Sequence, residues 1–256
     1  MVVDIFDLSA SQLSRFTQGF RYPIYRVMHH GSAGGSGVLD WNAYNISDQS
    51  EISEIQKFTH YEEAIPCLSN FAFDGKRVLI IGSSVPWLEC LVAKRGAKEI
   101  LTVEYRPIKW STKFKKTSWT SITFDEFLTS PPKRYFDCLL SYSSLEHSGL
   151  GRYGDEMDPD GDLFTLFIAK RWMTAEAKAL LALPVGKDCI LFNRHRVYGS
   201  KRLAAMKKVL GKGTINVIAP APEYESLFQG VEWTIDFAEN QTPSKNQIVY
   251  DRQLLL

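Results

Sequence analysis

The sequence predicts an α/β chain organised on a doubly wound, mostly parallel sheet in three layers, preceded by an N-terminal cap. From Lys76 onward, short runs rich in β-branched and aromatic residues alternate with amphipathic stretches, which is the sequence form of strand-helix-strand crossovers. The run from Phe136 to Tyr142 is almost continuously apolar, as a parallel strand covered on both faces must be. With 256 residues, 45% hydrophobic and 23% charged, the chain can bury one large core. That composition excludes disordered, collagen-like and disulfide-scaffold classes.

The elements follow in order. Residues 1–70 form a leader with helical spacing at Leu8 to Phe16 and at Ile52 to Phe58, and with Trp41, Tyr44 and Tyr61 as packing aromatics. Its stretch Gly31-Ser-Ala-Gly-Gly-Ser-Gly37 is a flexible hinge by composition. The leader reads as a cap, and residues 71–256 as the α/β domain. Arg77 to Ile81 is the first strand, Gly82-Ser-Ser-Val its turn, and Pro86 opens a helix through about Arg95, because proline at a first helical position loses no needed N–H. Strands are expected at Ile100 to Val103, Trp119 to Thr123, Phe136 to Tyr142 and Leu180 to Val185. A helix from Asp162 to Met173 places Leu163, Leu166, Phe167 and Lys170 in the i, i+3, i+4, i+7 pattern. Ser200 to Leu210 is a helix closed by Gly211 beside lysines. Thr214 to Ile218, Trp233 to Phe237 and Gln247 to Tyr250 supply late strands.

Net charge is +1, so no basic excess points to a nucleic-acid backbone. In the basic stretch Arg106 to Lys116, which interleaves Trp110 and Phe114, a solvated helix face is the expected reading. Cys67, Cys90, Cys138 and Cys189 are scattered among apolar runs without a C-x-x-C pair, as reduced core thiols are. No stretch approaches the roughly 18 apolar residues of a membrane helix. The acidic N-terminus lacks the basic start of a signal peptide. The expectation is a soluble chain, cytoplasmic by default; the sequons at Asn45 and Asn240 would matter only in a secretory lumen, if an N-terminal anchor had been removed.

Ligands of such sheets sit beyond the carboxyl ends of the strands, where the strand order reverses. The first turn, in VLIIGSSVPWLE (residues 78–89), has one glycine where a phosphate-binding turn would carry G-x-G-x-x-G, which disfavours NAD or FAD. Glu104 ends the second strand, where a carboxylate can accept both ribose hydroxyls. A merely solvated strand-end acid is the alternative. Asp125, beyond the third strand, can reach an adenine amino group, or can serve as a first-turn acid of a helix. An adenosine-like ligand held at its ribose and not at a diphosphate points to S-adenosylmethionine.

The fourth strand runs into SYSSLEHSGLGRYGDEMDPDGDL (residues 141–163), followed by LPVGKDCILFNRHRVYG (183–199) and preceded by IGSSVPWLE and TVEYRPI. Over roughly residues 70–210 the chain resembles domain-of-unknown-function family 268. That family is found in nematodes, plants and bacteria and is similar to class I S-adenosylmethionine-dependent methyltransferases. The resemblance implies a Rossmann-like class I methyltransferase sheet. It also implies a cofactor edge at Gly82, Ser83, Ser84 and Glu104, and a post-strand motif from Ser143 to His147. The sequence departs from standard methyltransferases in its first, glycine-poor motif.

Methyl transfer is an in-line displacement, so the protein contributes positioning, plus a base when the acceptor is a hydroxyl. His147, beyond the fourth strand, is the first candidate base and His195 the second. Arg152, Tyr153, Arg194 and Arg196 suit a polar or anionic acceptor, a small molecule or glycan. Asp155, Asp158, Asp160 and Asp162 have oxygen-ligand spacing for a divalent cation, or form Asx turns ending in an N-cap for the next helix. The reading is an O-methyltransferase. Its alternatives are a catalytically silent methyltransferase-like binding or scaffold protein, and an NAD-type or nucleotide-sugar enzyme.

Overall fold

Strand β3 (Arg77–Ile81) lies near the middle of the main sheet, and its alternating side chains feed two separate cores. Val78 and Ile80 pack with Ile100, Cys138 and Leu140 under helix α2 (Trp87–Lys94). Leu79 and Ile81 pack on the other face with Leu101, Val103 and Leu139, beneath α3 (Phe124–Thr129), α4 (Gly161–Arg171) and α5 (Ser200–Leu210). The period of two along each strand thus fills both faces of the sheet, and the result is the expected three layers.

This computed structural model describes residues 8–17, 24–26, 37–44, 68, 71–111, 113–130, 133–184, 188–192, 194–211, 214–218 and 246–251. In those residues the main sheet has seven strands, ordered β11 (Thr214–Ile218), β12 (Asn246–Asp251), β8 (Met173–Leu183), β7 (Phe136–Tyr142), β3, β4 (Glu99–Glu104), β6 (Ser118–Thr123). The five strands from β8 to β6 are mutually parallel, and β12 is antiparallel to both β8 and β11. This is the expected Rossmann-like, mostly parallel sheet. Chain order reverses direction between β3 and β7, which fixes the crevice for a ligand there.

Two smaller pairings attach the leader. β1 (Ile24–Arg26) runs parallel to β9 (Cys189–Phe192), which also pairs with β10 (His195–Val197), and β2 (Leu39–Asp40) pairs with β5 (Ile108–Lys109). Helix α1 (Ala10–Phe16) starts at a Ser9–Gln12 capping box. Its Phe16 ring meets Phe192 edge-on at 6.1 Å. Trp41 is fully buried against Trp110 and Trp119.

Several expectations need correction. The described residues of segment 106–116 form no helix face: they hold β5, and Trp110 and Phe114 pack against the core beneath α2. The buried face of α4 is Asp162, Thr165, Leu166 and Ala169, with Phe167 left 49% exposed, because buried arginines neutralise Asp162 and make an acid part of the core. The helix also stops at Arg171, and β8 begins at Met173, well before Leu180. Cys90, Cys138 and Cys189 are buried and free. No helix among the described residues is long and apolar enough to cross a membrane. Residues 31–36, Asn45, Ile52 to Phe58, Tyr61, Cys67, Val185, Trp233 to Phe237 and Asn240 lie outside the described residues.

Candidate functional site

Four segments converge at the reversal point: the turn after β3, the end of β4, the loop after β7 and the β9–β10 turn. Gly82 has φ +73°, and a Cβ there would fall on the Ser144 side chain. Glycine is therefore required on two counts. The next residue binds the neighbouring strand, as Ser83 N–H donates to Glu104 Oε2 at 2.8 Å and Tyr105 N–H donates to Glu104 Oε1 at 2.8 Å. Burial raises the Glu104 pKa, against the lowering effect of those two bonds and of Arg106. Ser84 is exposed, and its carbonyl accepts the Trp41 indole N–H at 3.2 Å. Asp125 is exposed on the first turn of α3, behind the Thr123–Glu126 capping box, where an acid complements the helix dipole.

The loop after β7 carries the second half of the site. Ser143 is exposed at φ 50°, and its hydroxyl donates to Glu146 Oε1 at 2.8 Å. His147 is buried, with Nδ1 hydrogen-bonded to the Arg194 carbonyl. A carbonyl only accepts, so Nδ1 carries the proton and Nε2 holds the lone pair. Burial pushes the His147 pKa down to about 4; the Arg194 carbonyl opposes this, and Arg152, Arg196 and Arg194 add to it. The imidazole is edge-on to Tyr153 at 5.4 Å and lies 6.2 Å from the His195 ring. Arg152 sits 5.5 Å over the Tyr153 ring and donates to the Arg194 carbonyl at 3.3 Å. Tyr153 in turn feels the charges of Glu146, Glu104 and Asp155. His147, His195, Arg152, Tyr153 and Arg194 are therefore grouped, and Glu104 lies on the same side.

Arg196 does not belong to an acceptor surface. It is 2% exposed, donates to the carbonyls of Ser148, Asp158 and Pro159, and lies 3.6 Å from Asp162. The acidic loop is likewise spent on structure. Asp155 accepts the N–H groups of Gly149, Gly151 and Tyr153 at 2.6, 3.2 and 3.1 Å. Asp158 accepts Asp160 N–H at 3.0 Å, Asp160 pairs with Arg202 at 2.9 Å, and buried Asp162 holds Arg202 and the Tyr198 hydroxyl. Among the described residues no group of three or more His, Cys, Asp or Glu comes together as a metal site. The cation expected at Asp155, Asp158, Asp160 and Asp162 is thereby overturned: those carboxylates face N–H groups and guanidiniums instead of one another.

Two buried acids escaped the reading of the sequence. Glu146 is 1% exposed, its Oε1 lies 3.7 Å from His147 Nε2, and its Oε2 is buried without a hydrogen bond among the described residues. Burial pushes its pKa up to about 7, although its own N–H, Ser143, Arg152 and Arg196 act the other way. Glu89 is fully buried in α2 beneath the first turn. Its signal was an acid inside the apolar run from Trp87 to Ala93.

A family model described as "Caenorhabditis protein of unknown function, DUF268" matches residues 75–216. No curated protein matches the chain in sequence. Among solved structures, a chain from the complex containing the Haloferax volcanii Trm112 methyltransferase activator is similar at 11% identity and TM-score 0.47, covering 82% of this chain and 96% of that one. A SAM-dependent methyltransferase from Archaeoglobus fulgidus is similar at 18% identity and TM-score 0.46, covering 80% and 100%. A TehB-like SAM-dependent methyltransferase from Corynebacterium glutamicum is similar at 14% identity and TM-score 0.43, covering 80% and 99%.

Proposed function

The chain belongs to the DUF268 family, and we propose that this member is an S-adenosylmethionine-dependent O-methyltransferase acting on a hydroxyl of a small or carbohydrate acceptor. The observation that carries the reading is the 2.8 Å bond from Ser83 N–H to the Glu104 carboxylate. A dinucleotide or nucleotide sugar lays its pyrophosphate on the first turn and needs unused N–H donors there. Here the donor faces a carboxylate, whose charge repels phosphate and favours a cationic ligand. Each Glu104 oxygen accepts one N–H and keeps a lone pair for a ribose hydroxyl. S-adenosylmethionine, when bound, supplies an electrophilic methyl group on a sulfonium. Gly82, Ser83 and Ser84 would form the wall of its site, Ser143 the opposite lip, and Asp125 would accept from the adenine amino group.

The residues around His147 handle the acceptor. Arg152, Tyr153 and Arg194 orient a hydroxyl-bearing ligand. His147, kept neutral with its proton on Nδ1, offers Nε2 to the hydroxyl proton, and His195 flanks it. A second reading, a methyltransferase-like binding module that transfers nothing, draws support from the 10% side-chain exposure of His147. The described parts of the leader act in either case as a cap, through Trp41 on the turn after β3 and through β1 on β9.

Calorimetric titration with S-adenosylmethionine and S-adenosylhomocysteine tests this. Binding is expected, weakened by about 1.5–3 kcal/mol in Glu104→Ala, the range for hydrogen bonds to a charged group. Unchanged affinity in the variant would remove the ribose assignment, and no binding of either compound would remove the donor. Binding without methyl transfer to any of a panel of hydroxyl acceptors would favour the silent module.

A further inference from the structure

We propose that Glu89 is a positioning residue for the donor turn, held as a neutral carboxylic acid that fixes residues 82–85 through a directed chain of hydrogen bonds; this rests on the methyltransferase reading above. The chain can be followed proton by proton. Trp119 indole N–H donates to Thr102 Oγ1 at 3.1 Å, and Thr102 donates its own proton to Glu89 Oε1 at 2.9 Å. On the far side, Glu89 Oε2 lies 3.0 Å from Ser83 Oγ, and Ser83 Oγ donates to the Val85 carbonyl at 2.9 Å. A serine hydroxyl has one proton and a carbonyl has none. With the Ser83 proton on Val85, the contact between Ser83 and Glu89 is a hydrogen bond only if Glu89 Oε2 carries a proton. In that state every link from Trp119 to Val85 has one donor and one acceptor.

The same serine is gripped from the other side, because its backbone N–H donates to Glu104. Glu89 thus sets the hydroxyl of the residue whose N–H orients the ribose-binding carboxylate. Among the described residues the ionisable group acting on Glu89 is Glu104 from β4, and Glu89 in turn raises the pKa of the buried Cys90 thiol on its own helix. The turn presents Ser83, and β6 presents Trp119 through Thr102. Burial pushes the Glu89 pKa up to about 7; its own N–H and the Thr102 hydroxyl act against this, and Glu104 adds to it. Ionisation would draw the Ser83 proton away from Val85 and so release the turn from the bond that fixes it. A one-glycine turn needs such an internal strut because it lacks the conformational fit of a glycine-rich one.

The test is donor affinity against pH, by calorimetry with S-adenosylmethionine from about pH 6 to about pH 9, for the wild-type chain and for Glu89→Gln. Glutamine keeps both links, accepting from Thr102 and donating to Ser83, and does not titrate. Wild-type affinity is expected to fall by up to about tenfold per pH unit above the Glu89 transition, while Glu89→Gln keeps the low-pH affinity throughout. A parallel carbon-13 NMR titration of labelled glutamate carboxyls should show two signals titrating near neutrality, those of Glu89 and Glu146, of which one is missing from Glu89→Gln and the other remains. Equal pH profiles for the two proteins, or a Glu89 signal titrating in the ordinary carboxylate range, would overturn the Glu89 role alone. Absence of donor binding in both proteins at every pH overturns the methyltransferase reading and this role with it.

Discussion

The Trp41 indole N–H donates to the Ser84 carbonyl at 3.2 Å across 43 residues of sequence, so the leader touches the turn after β3 directly. Trp41 is also the meeting point of Trp110 and Trp119, at 5.2 and 5.8 Å. The leader therefore supports the same turn that Glu89 supports from below.

Replacing this tryptophan separates the two contributions. Trp41→Phe keeps most of the packing and removes one hydrogen bond, worth about 0.5–1.5 kcal/mol. It should leave thermal stability close to wild type and weaken S-adenosylmethionine binding severalfold. Trp41→Ala leaves a cavity and should cost about 3–5 kcal/mol of stability. Equal donor affinity in wild type and Trp41→Phe would limit the leader to a packing role.

Strands β3, β4 and β7 could be read from the chain because each is an apolar run whose period and length need no partner to be recognised, whereas the polar first half of β8 could not. The place of Glu104 at the end of β4 was legible for a local reason, its distance from Gly82 along a strand-helix-strand unit. The face of α4 was not legible. The pattern through Leu163, Leu166, Phe167 and Lys170 leaves out Asp162 and Thr165; Arg196 and Arg202, the latter 40 residues on, make Asp162 part of the core, and Thr165 buries its hydroxyl on the Gly161 carbonyl. The cation reading of the acidic loop failed likewise, since the spacing of acids is the same whether they meet a metal or backbone N–H groups. Glu89 and Glu146 were passed over because their partners Ser83, Thr102 and Ser143 acquire meaning only once strands β3, β4 and β7 are side by side.

Asp162 is the acid on which the β10–α5 corner depends. It is fully buried against two guanidiniums and the Tyr198 hydroxyl. Burial raises its pKa, but Arg196, Arg202 and the hydrogen bonds from Arg202 and Tyr198 outweigh this and hold it below 3.8. A depressed carboxylate contributes stability above its unfolded pKa and loses it as pH falls through the folded value; this contribution should therefore persist until the solution is more acid than about pH 4. Asp162→Asn leaves buried arginine charge uncompensated and should cost about 3–5 kcal/mol, lowering Tm by roughly 10 °C at this chain length. A Tm within one or two degrees of wild type in differential scanning calorimetry would show that the arginines are satisfied by carbonyls alone.

His147 carries the prediction about chemistry. Its pKa is pushed from 6.5 down to about 4, chiefly by burial, so the imidazole is neutral across the physiological range. As a base it needs no deprotonation on the way from about pH 8 to about pH 5, and turnover at saturating donor should show no acid limb near 6.5. The same shift has a cost for the fold: a histidine with a depressed pKa stabilises above 6.5, and that stability is lost as pH falls towards 4. Glu146 runs the other way. With a pKa raised to about 7, it stabilises fully below 4.5 and loses that contribution as pH rises to 7. The two slopes oppose each other in the wild type, so they are resolved by variants. Glu146→Gln should gain stability relative to wild type at about pH 8 and not at about pH 4, whereas His147→Ala should be relatively favoured at the acid end. If His147 is the proton acceptor, His147→Ala keeps its donor affinity and loses about 10²–10⁴-fold in turnover. A fully active variant, or a wild-type profile with its acid limb at 6.5, would move the base to another group.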